Sequence, residues 1–446
     1  MAWGIIAVGT LVRLAYGLAV NDPMSGPDAN GYEPQAQVLA AHGVLTNVCS
    51  LVDRHAGYPL VIAAVYDVFG VHQRAFVAVQ ALLFGLGSFF AYTLARRELG
   101  TSVGLVALSL LTLSPALLAS STEFMYEPLF GIGLVAGLDL ISRALRAPPW
   151  RAVALTIGGG ALLGLSTALH PKALAVALPV AAALVLLHGG RTRLVLPVCC
   201  LLGVALAPAA LAARTAAAGG EVNLGSQFGT SMFRYNPVND PAGTPTRKGP
   251  SQRPASARGT KPCIPTPEAA AAAAARPPSA AARRPPEQDE STHAVVALAG
   301  KFRDFWGPMV PPAALGQGTW FHGLNGFRLA PSAVAERSWF EPLATAGQYL
   351  WSVLGLALVI GGGWLVLTKR SRRWKLTVFY ILPVVVFLAV SLYTVAEARF
   401  RLPVAPFYVG LQAVALLALG GMVRKSMVRR SNARDDASLP ASSAER

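Results

Sequence analysis

The side chains best suited to chemistry are carboxylates beside aromatic rings, a histidine and a lysine at a helix break, and arginines flanking an apolar run. Asp28 stands before Tyr32 in S-G-P-D-A-N-G-Y-E-P-Q-A-Q, where the chain leaves its first apolar segment. Glu123 and Glu127 precede another apolar run, Glu127 within M-Y-E-P-L-F. His170-Pro171-Lys172 separates two apolar stretches, and Arg399 and Arg401 lie in E-A-R-F-R-L-P. A carboxylate in such a place can accept a proton from an attacking hydroxyl, and cations can stabilise a departing phosphate. Each group also has a plainer reading. Asp28 suits a helix N-cap and Glu127 suits a helix N-terminus electrostatically. His170-Pro171-Lys172 suits a hairpin turn whose lysine snorkels to water. The arginines favour phosphate, which Arg can hold bidentately.

These groups must be positioned by membrane helices. Hydrophobic residues make up 53% of the 446 and charged residues 13%, far from the balance of a soluble domain. Apolar runs able to cross about 30 Å of hydrocarbon, at about 20 residues each, recur along the chain. The expected fold class is an all-α polytopic membrane protein with about ten transmembrane helices. The spans begin with Trp3 to Val20, which carries Arg13, and Arg74 to Ala95. Others follow from Ser102, Pro128, Ala152, Ala173 and Leu194, and the last three cover Tyr349 to Leu367, Leu376 to Tyr393 and Pro403 to Met422. Within the first external loop, residues 21–72, Glu33 to Ala41 and Tyr58 to Phe69 have helical periodicity but are too short to span, so they are expected as interfacial helices.

The expected organisation is an N-terminal transmembrane module, 1–240, a low-complexity insert, 241–290, an external segment, 291–348, C-terminal helices, 349–422, and a basic tail, 423–446. The insert, rich in Pro, Ala and Arg, lacks the apolar residues that offset ordering entropy and is expected to be poorly ordered. Lys and Arg fall on alternate connections, so the formal charge of +16 reads as topology rather than nucleic-acid binding. Both termini are then cytoplasmic. The first loop, the Ser120 connection, the His170 turn, the insert and the Glu397 to Arg401 connection all lie on the other side.

No Walker loop, dinucleotide glycine fingerprint, nucleophile elbow or paired Cys/His metal spacing occurs, so neither a metal nor another cofactor is expected. Cys199 and Cys200 read as core residues of an apolar helix. Cys49 and Cys263 both fall in external segments, which leaves one disulfide open. The N-terminus lacks a basic leader and a cleavage site, and reads as a helix that stays.

With these pieces in order, the chain resembles the C-type membrane glycosyltransferases, in the group of protein O-mannosyltransferases and the lipid A aminoarabinose transferase. The resemblance is carried by P-D-A-N-G-Y at 27–32, R-H-A-G-Y-P-L at 54–60, Y-E-P-L-F at 126–130 and G-L-S-T-A-L-H-P-K-A-L at 164–174. It continues through the Gly225 to Pro237 stretch, K-F-R-D-F-W at 301–306 and R-F-R-L-P-V-A-P at 399–406, over nearly the whole chain apart from the insert. It implies that Asp28 is the base activating the acceptor, with Glu127 as a second catalytic carboxylate. It also implies a substrate and lipid-phosphate set of Tyr32, Arg54, Tyr58, His170, Lys172, Arg399 and Arg401. The chain departs from the family pattern at Ala29, Ala56, His170 and Phe400, positions that bear on the donor sugar and the acceptor.

The expected function is transfer of a sugar from a polyprenyl-phosphate donor to a hydroxyl of a glycan, lipid or protein, at the periplasmic face of a bacterial inner membrane. A transporter or flippase of lipid-linked sugars is the alternative from another class, and would need a polar path through the spans, where Arg13 and Asp139 are the chief ionisable residues. A noncatalytic envelope-assembly protein is a further one.

Overall fold

The computed structural model describes residues 1–19, 23–25, 29–48, 56–187, 193–219, 264–265, 298–299, 302, 305–306, 340–368, 373–393 and 398–438. Apart from an isolated bridge between Val48 and Ile264, the regular structure of these residues is helical. The helices are α1 (Ala2–Ala19), α2 (Ala29–His42), α3 (Gly57–Phe69), α4 (Gln73–Glu98), α5 (Thr101–Leu113), α6 (Pro115–Ser120) and α7 (Glu127–Ala144). They continue with α8 (Pro149–Leu169), α9 (Lys172–Leu187), α10 (Val195–Ala217), α11 (Phe340–Leu367), α12 (Leu382–Tyr393) and α13 (Ala405–Ser438). A π turn, Thr377–Ile381, leads into α12, and a 3₁₀ turn, Ala398–Val404, leads into α13.

Among the described residues, six stretches are long and apolar enough to cross a membrane: Ala2–Ala19, Gln73–Glu98, Pro149–Leu169, Val195–Ala217, Trp374–Leu392 and Arg401–Lys425. Hydropathy read along the chain marks more runs than this. Two of the differences lie in helix length: α5 has 13 residues and α9 has 16, short of the about 20 that a perpendicular crossing needs. The third run is divided at Ser114-Pro115, because proline cannot donate to the preceding turn and its ring disfavours a continued helix.

That break explains Arg13. Its guanidinium is 1% exposed and lies 4.0 Å from the Phe84 ring centroid. It donates to the carbonyls of Thr112 at 3.2 Å and Leu111 at 3.4 Å, as well as to Gly9 at 3.0 Å. The last carbonyls of α5 have no helical donor after the proline, and the arginine of α1 supplies one. Arg13→Leu is expected to lower stability by about 1–3 kcal/mol, since it leaves those carbonyls buried without donors. Thermal unfolding in detergent checks this, and an unchanged midpoint would contradict it.

Asp139 is equally accounted for. It pairs with Arg97 at 2.9 Å and Arg143 at 2.6 Å, and Glu98 pairs with Arg146 at 2.6 Å. Ser142 also donates to Glu98. These contacts tie the basic ends of α4 and α7 together, so the acidic residue inside the span serves a helix–helix contact. Elsewhere small residues set the spacing. A Cβ on Gly160 would lie 2.3 Å from the Cys200 carbonyl, and one on Gly164 would lie 2.4 Å from that of Val204. The glycines thus let α8 and α10 approach closely. Cys199 and Cys200 are buried in that contact, as their apolar surroundings predict.

Candidate functional site

The connection between α6 and α7, Ser121 to Tyr126, is the centre of the site, and every residue of it is buried. Phe124 N–H donates to the Pro23 carbonyl at 3.1 Å, tying this connection to the start of the first loop. Gln80 of α4 holds it from below. Its amide donates to the Glu123 carbonyl at 2.8 Å and the Ser120 carbonyl at 3.4 Å, while its oxygen accepts from the Tyr58 hydroxyl at 3.2 Å. A polar residue in a span thereby satisfies backbone groups that the short α6 leaves open.

Around this connection, rings from separate elements meet. Tyr32 of α2 packs edge-on to Tyr58 of α3 with centroids 5.0 Å apart, and to Tyr126 at 6.2 Å. Tyr126 stacks on His170 at 4.9 Å, and Phe130 on the same imidazole at 6.1 Å. The α8–α9 turn reaches this cluster because Gly57 opens α3: a Cβ there would lie 2.3 Å from the Ala168 carbonyl. Ser166 of α8 donates to the Phe130 carbonyl at 3.0 Å, fixing α7 against α8.

Several residues expected from the sequence are thus brought together. Tyr32, Tyr58, Glu127 and His170 are buried around one connection. The turn between α8 and α9 forms, but Lys172 is 5% exposed and does not snorkel to water from it. Its N–H donates to His170 Nδ1 at 3.1 Å, which leaves the proton of a neutral imidazole on Nε2.

Arg401 enters from the 3₁₀ turn. Its guanidinium donates to the Trp306 carbonyl at 2.5 Å and lies 5.6 Å from that indole ring. The indole N–H donates to Ser352 of α11 at 3.1 Å, and Tyr408 packs edge-on to it at 5.7 Å. Arg401 is 9% exposed and has no carboxylate within ion-pair distance among the described residues. The turn is held to α7, where a Cβ on Gly131 would lie 3.0 Å from Pro403. Phe130 also meets Phe387 of α12 at 5.5 Å. Next to this contact a small apolar cavity of about 20 Å³ is lined by Phe84, Ser88, Leu111, Pro128, Val135 and Leu402. Pro128 and Leu402 are the chain neighbours of Glu127 and Arg401.

A further carboxylate was not singled out by the sequence. Glu33 of α2 is buried and accepts from Gln37 at 2.5 Å, Tyr66 at 3.3 Å and Gln73 at 3.4 Å. Burial, and then the neighbouring Glu33 carboxylate, push the Tyr66 phenol well above its ordinary range, so it stays protonated and donates. The clamp fixes α2, and with it Tyr32, against α3 and α4. Tyr126, Gln80 and Trp306 were also missed. Tyr126 and Trp306 sit inside quoted motifs; Gln80 had only its polarity within an apolar run as a signal.

Asp28, Arg54, Cys49 and Cys263 lie outside the described residues, as does the insert 241–290 except for Ile264 and Pro265. Arg399 belongs to the 3₁₀ turn by its backbone. Asp28 is the residue before the first residue of α2.

No curated protein matches the chain. Residues 54–213 match the model of the dolichyl-phosphate-mannose-protein mannosyltransferase family, a stretch that includes Tyr58, Glu127, His170 and Lys172. The match indicates membrane glycosyltransferase activity in general, and with the apolar helices it describes a multi-pass membrane protein. Over that stretch the chain is similar to a family of C-type membrane glycosyltransferases, in support of the resemblance its motifs carry.

Proposed function

We propose that the chain transfers a sugar from a polyprenyl-phosphate donor to an acceptor hydroxyl at the external face of a bacterial plasma membrane, through a bundle of about ten spans. The observation that carries this reading is Arg401, a buried cation held by a carbonyl and an indole face. A buried guanidinium with no carboxylate at ion-pair distance among the described residues is costly unless an anion completes it, and a lipid phosphate is such an anion.

In the proposed reaction, Asp28 accepts the proton of the acceptor hydroxyl as its oxygen attacks the anomeric carbon. The bond from that carbon to the phosphate oxygen breaks, and polyprenyl phosphate leaves with its negative charge, with inversion at the sugar. Arg401, Arg399 and Lys172 stabilise the departing phosphate electrostatically. Glu127 supports the sugar or the acceptor, and Tyr32, Arg54, Tyr58 and His170 line the substrate path.

The test is a panel of polyprenyl-phosphate sugars offered to the full chain in detergent, with release of polyprenyl phosphate as the readout. Sugar-dependent release with at least one donor is expected. Movement of fluorescent lipid-linked sugar across vesicles by the same protein, with no release from any donor, would establish a flippase instead.

A further inference from the structure

Ser391, in the last turn of α12, is fully buried, and its Oγ has no hydrogen-bond partner among the described residues. A serine inside a helix can satisfy itself by donating to the carbonyl four residues back. Ser88, Ser109 and Ser166 do so, bonding to Phe84, Leu105 and Leu162. Ser391 does not, although Phe387 offers the equivalent carbonyl. A hydroxyl held inside a membrane bundle without a partner is costly, and a polar group of a ligand can offset that cost.

The face that carries Ser391 is turned toward the site. Val384, Phe387 and Ser391 recur at helical spacing and are buried, whereas Val385 is 54% exposed. Phe387 meets Phe130 at 5.5 Å, and Phe130 stacks on His170 at 6.1 Å. Ser391 stands one turn, about 5.4 Å, further along that face, in the direction of the turn that carries Arg401. α12 packs against that 3₁₀ turn and against α9, which opens with Lys172. The unpartnered hydroxyl is thus on the element that touches both cationic ones.

We propose that Ser391 binds the phosphate of the lipid donor, its hydroxyl donating to a phosphate oxygen alongside Arg401 and Lys172. This assignment rests on the reading of the chain as a polyprenyl-phosphate-dependent transferase. The cations attract the charge, and a directional O–H···O⁻ bond fixes how the phosphate is turned. The same oxygen is present in the donor and in the departing polyprenyl phosphate. Ser391 therefore contributes to affinity for both, and its loss should raise the donor KM more than it lowers kcat.

The experiment is titration of a polyprenyl monophosphate into the full chain in detergent, read as bound lipid and as the thermal midpoint, with polyprenol and inorganic phosphate as controls. Wild type should bind the monophosphate in preference to both controls. Ser391→Ala should bind it about 10–100-fold more weakly, the range for losing a hydrogen bond to a charged group. Without ligand, its midpoint should equal or exceed that of wild type, because the substitution removes a hydroxyl that has no partner. Ser391→Cys keeps a side chain of similar shape but donates only weakly, and should lose affinity to a similar degree. Equal binding by wild type and Ser391→Ala would overturn this assignment alone. A lowered midpoint in the ligand-free variant would mark a structural hydroxyl and overturn it as well. Inorganic phosphate binding as tightly as the lipid would point to a free anion in its place. Failure of wild type to bind the monophosphate would remove the donor reading, and this assignment with it.

Discussion

Asp28→Asn is expected to lower sugar transfer by about 10²–10⁴-fold, the usual range for loss of a general base, with folding and donor binding unchanged. The substitution separates the two roles open to this residue. Asp28 stands at the position that precedes α2, and Asn caps a helix about as well as Asp, so a purely capping residue would tolerate the exchange. An amide cannot take up the proton of the acceptor hydroxyl. Turnover should therefore collapse while the thermal midpoint and the donor KM stay near wild type. A capping role for Asp28 predicts that Asp28→Ala adds a stability loss of about 1 kcal/mol. Wild-type turnover by a folded Asp28→Asn protein would remove this residue from the mechanism.

Arg401→Gln carries the second large effect, an expected loss of about 10²–10³-fold in kcat/KM, the scale seen when one stabilising donor is removed from a developing anion. Arg401→Lys keeps the charge but loses the planar fork, and should recover part of the loss. The competing explanation is structural, since Arg401 also holds the Trp306 carbonyl. A structural arginine would show its loss in the fraction of folded protein, with the folded fraction fully active and no graded rescue by lysine. Donor titrations at matched folded concentration distinguish the cases.

The fate of individual residues shows where reading the chain succeeds. Hydropathy and the placement of Lys and Arg marked helices at the right places, because both are local properties of a run and of its ends. The acidic and basic groups next to those ends were visible for the same reason. Lys172 is the instructive failure of a plain alternative. At a break between apolar runs a lysine has water within reach, and only the packing of α8 and α9 shows that its side chain is buried. Arg13 is the converse. In the sequence it is an ionisable group in a span and a candidate for a pathway; in the structure it caps the broken end of α5.

The amino-acid order by itself therefore determined an all-helical membrane chain and a set of polar residues at the helix ends, through composition, periodicity and motif spacing. The tertiary structure alone decided that Tyr32, Tyr58, Tyr126 and His170 form one aromatic cluster, and that Trp306 holds Arg401. The physical reason is range. A span is specified by some twenty consecutive residues. A cluster of rings depends on how closely distant helices can approach, and that rests on single small residues such as Gly57 against the Ala168 carbonyl, which no local pattern announces.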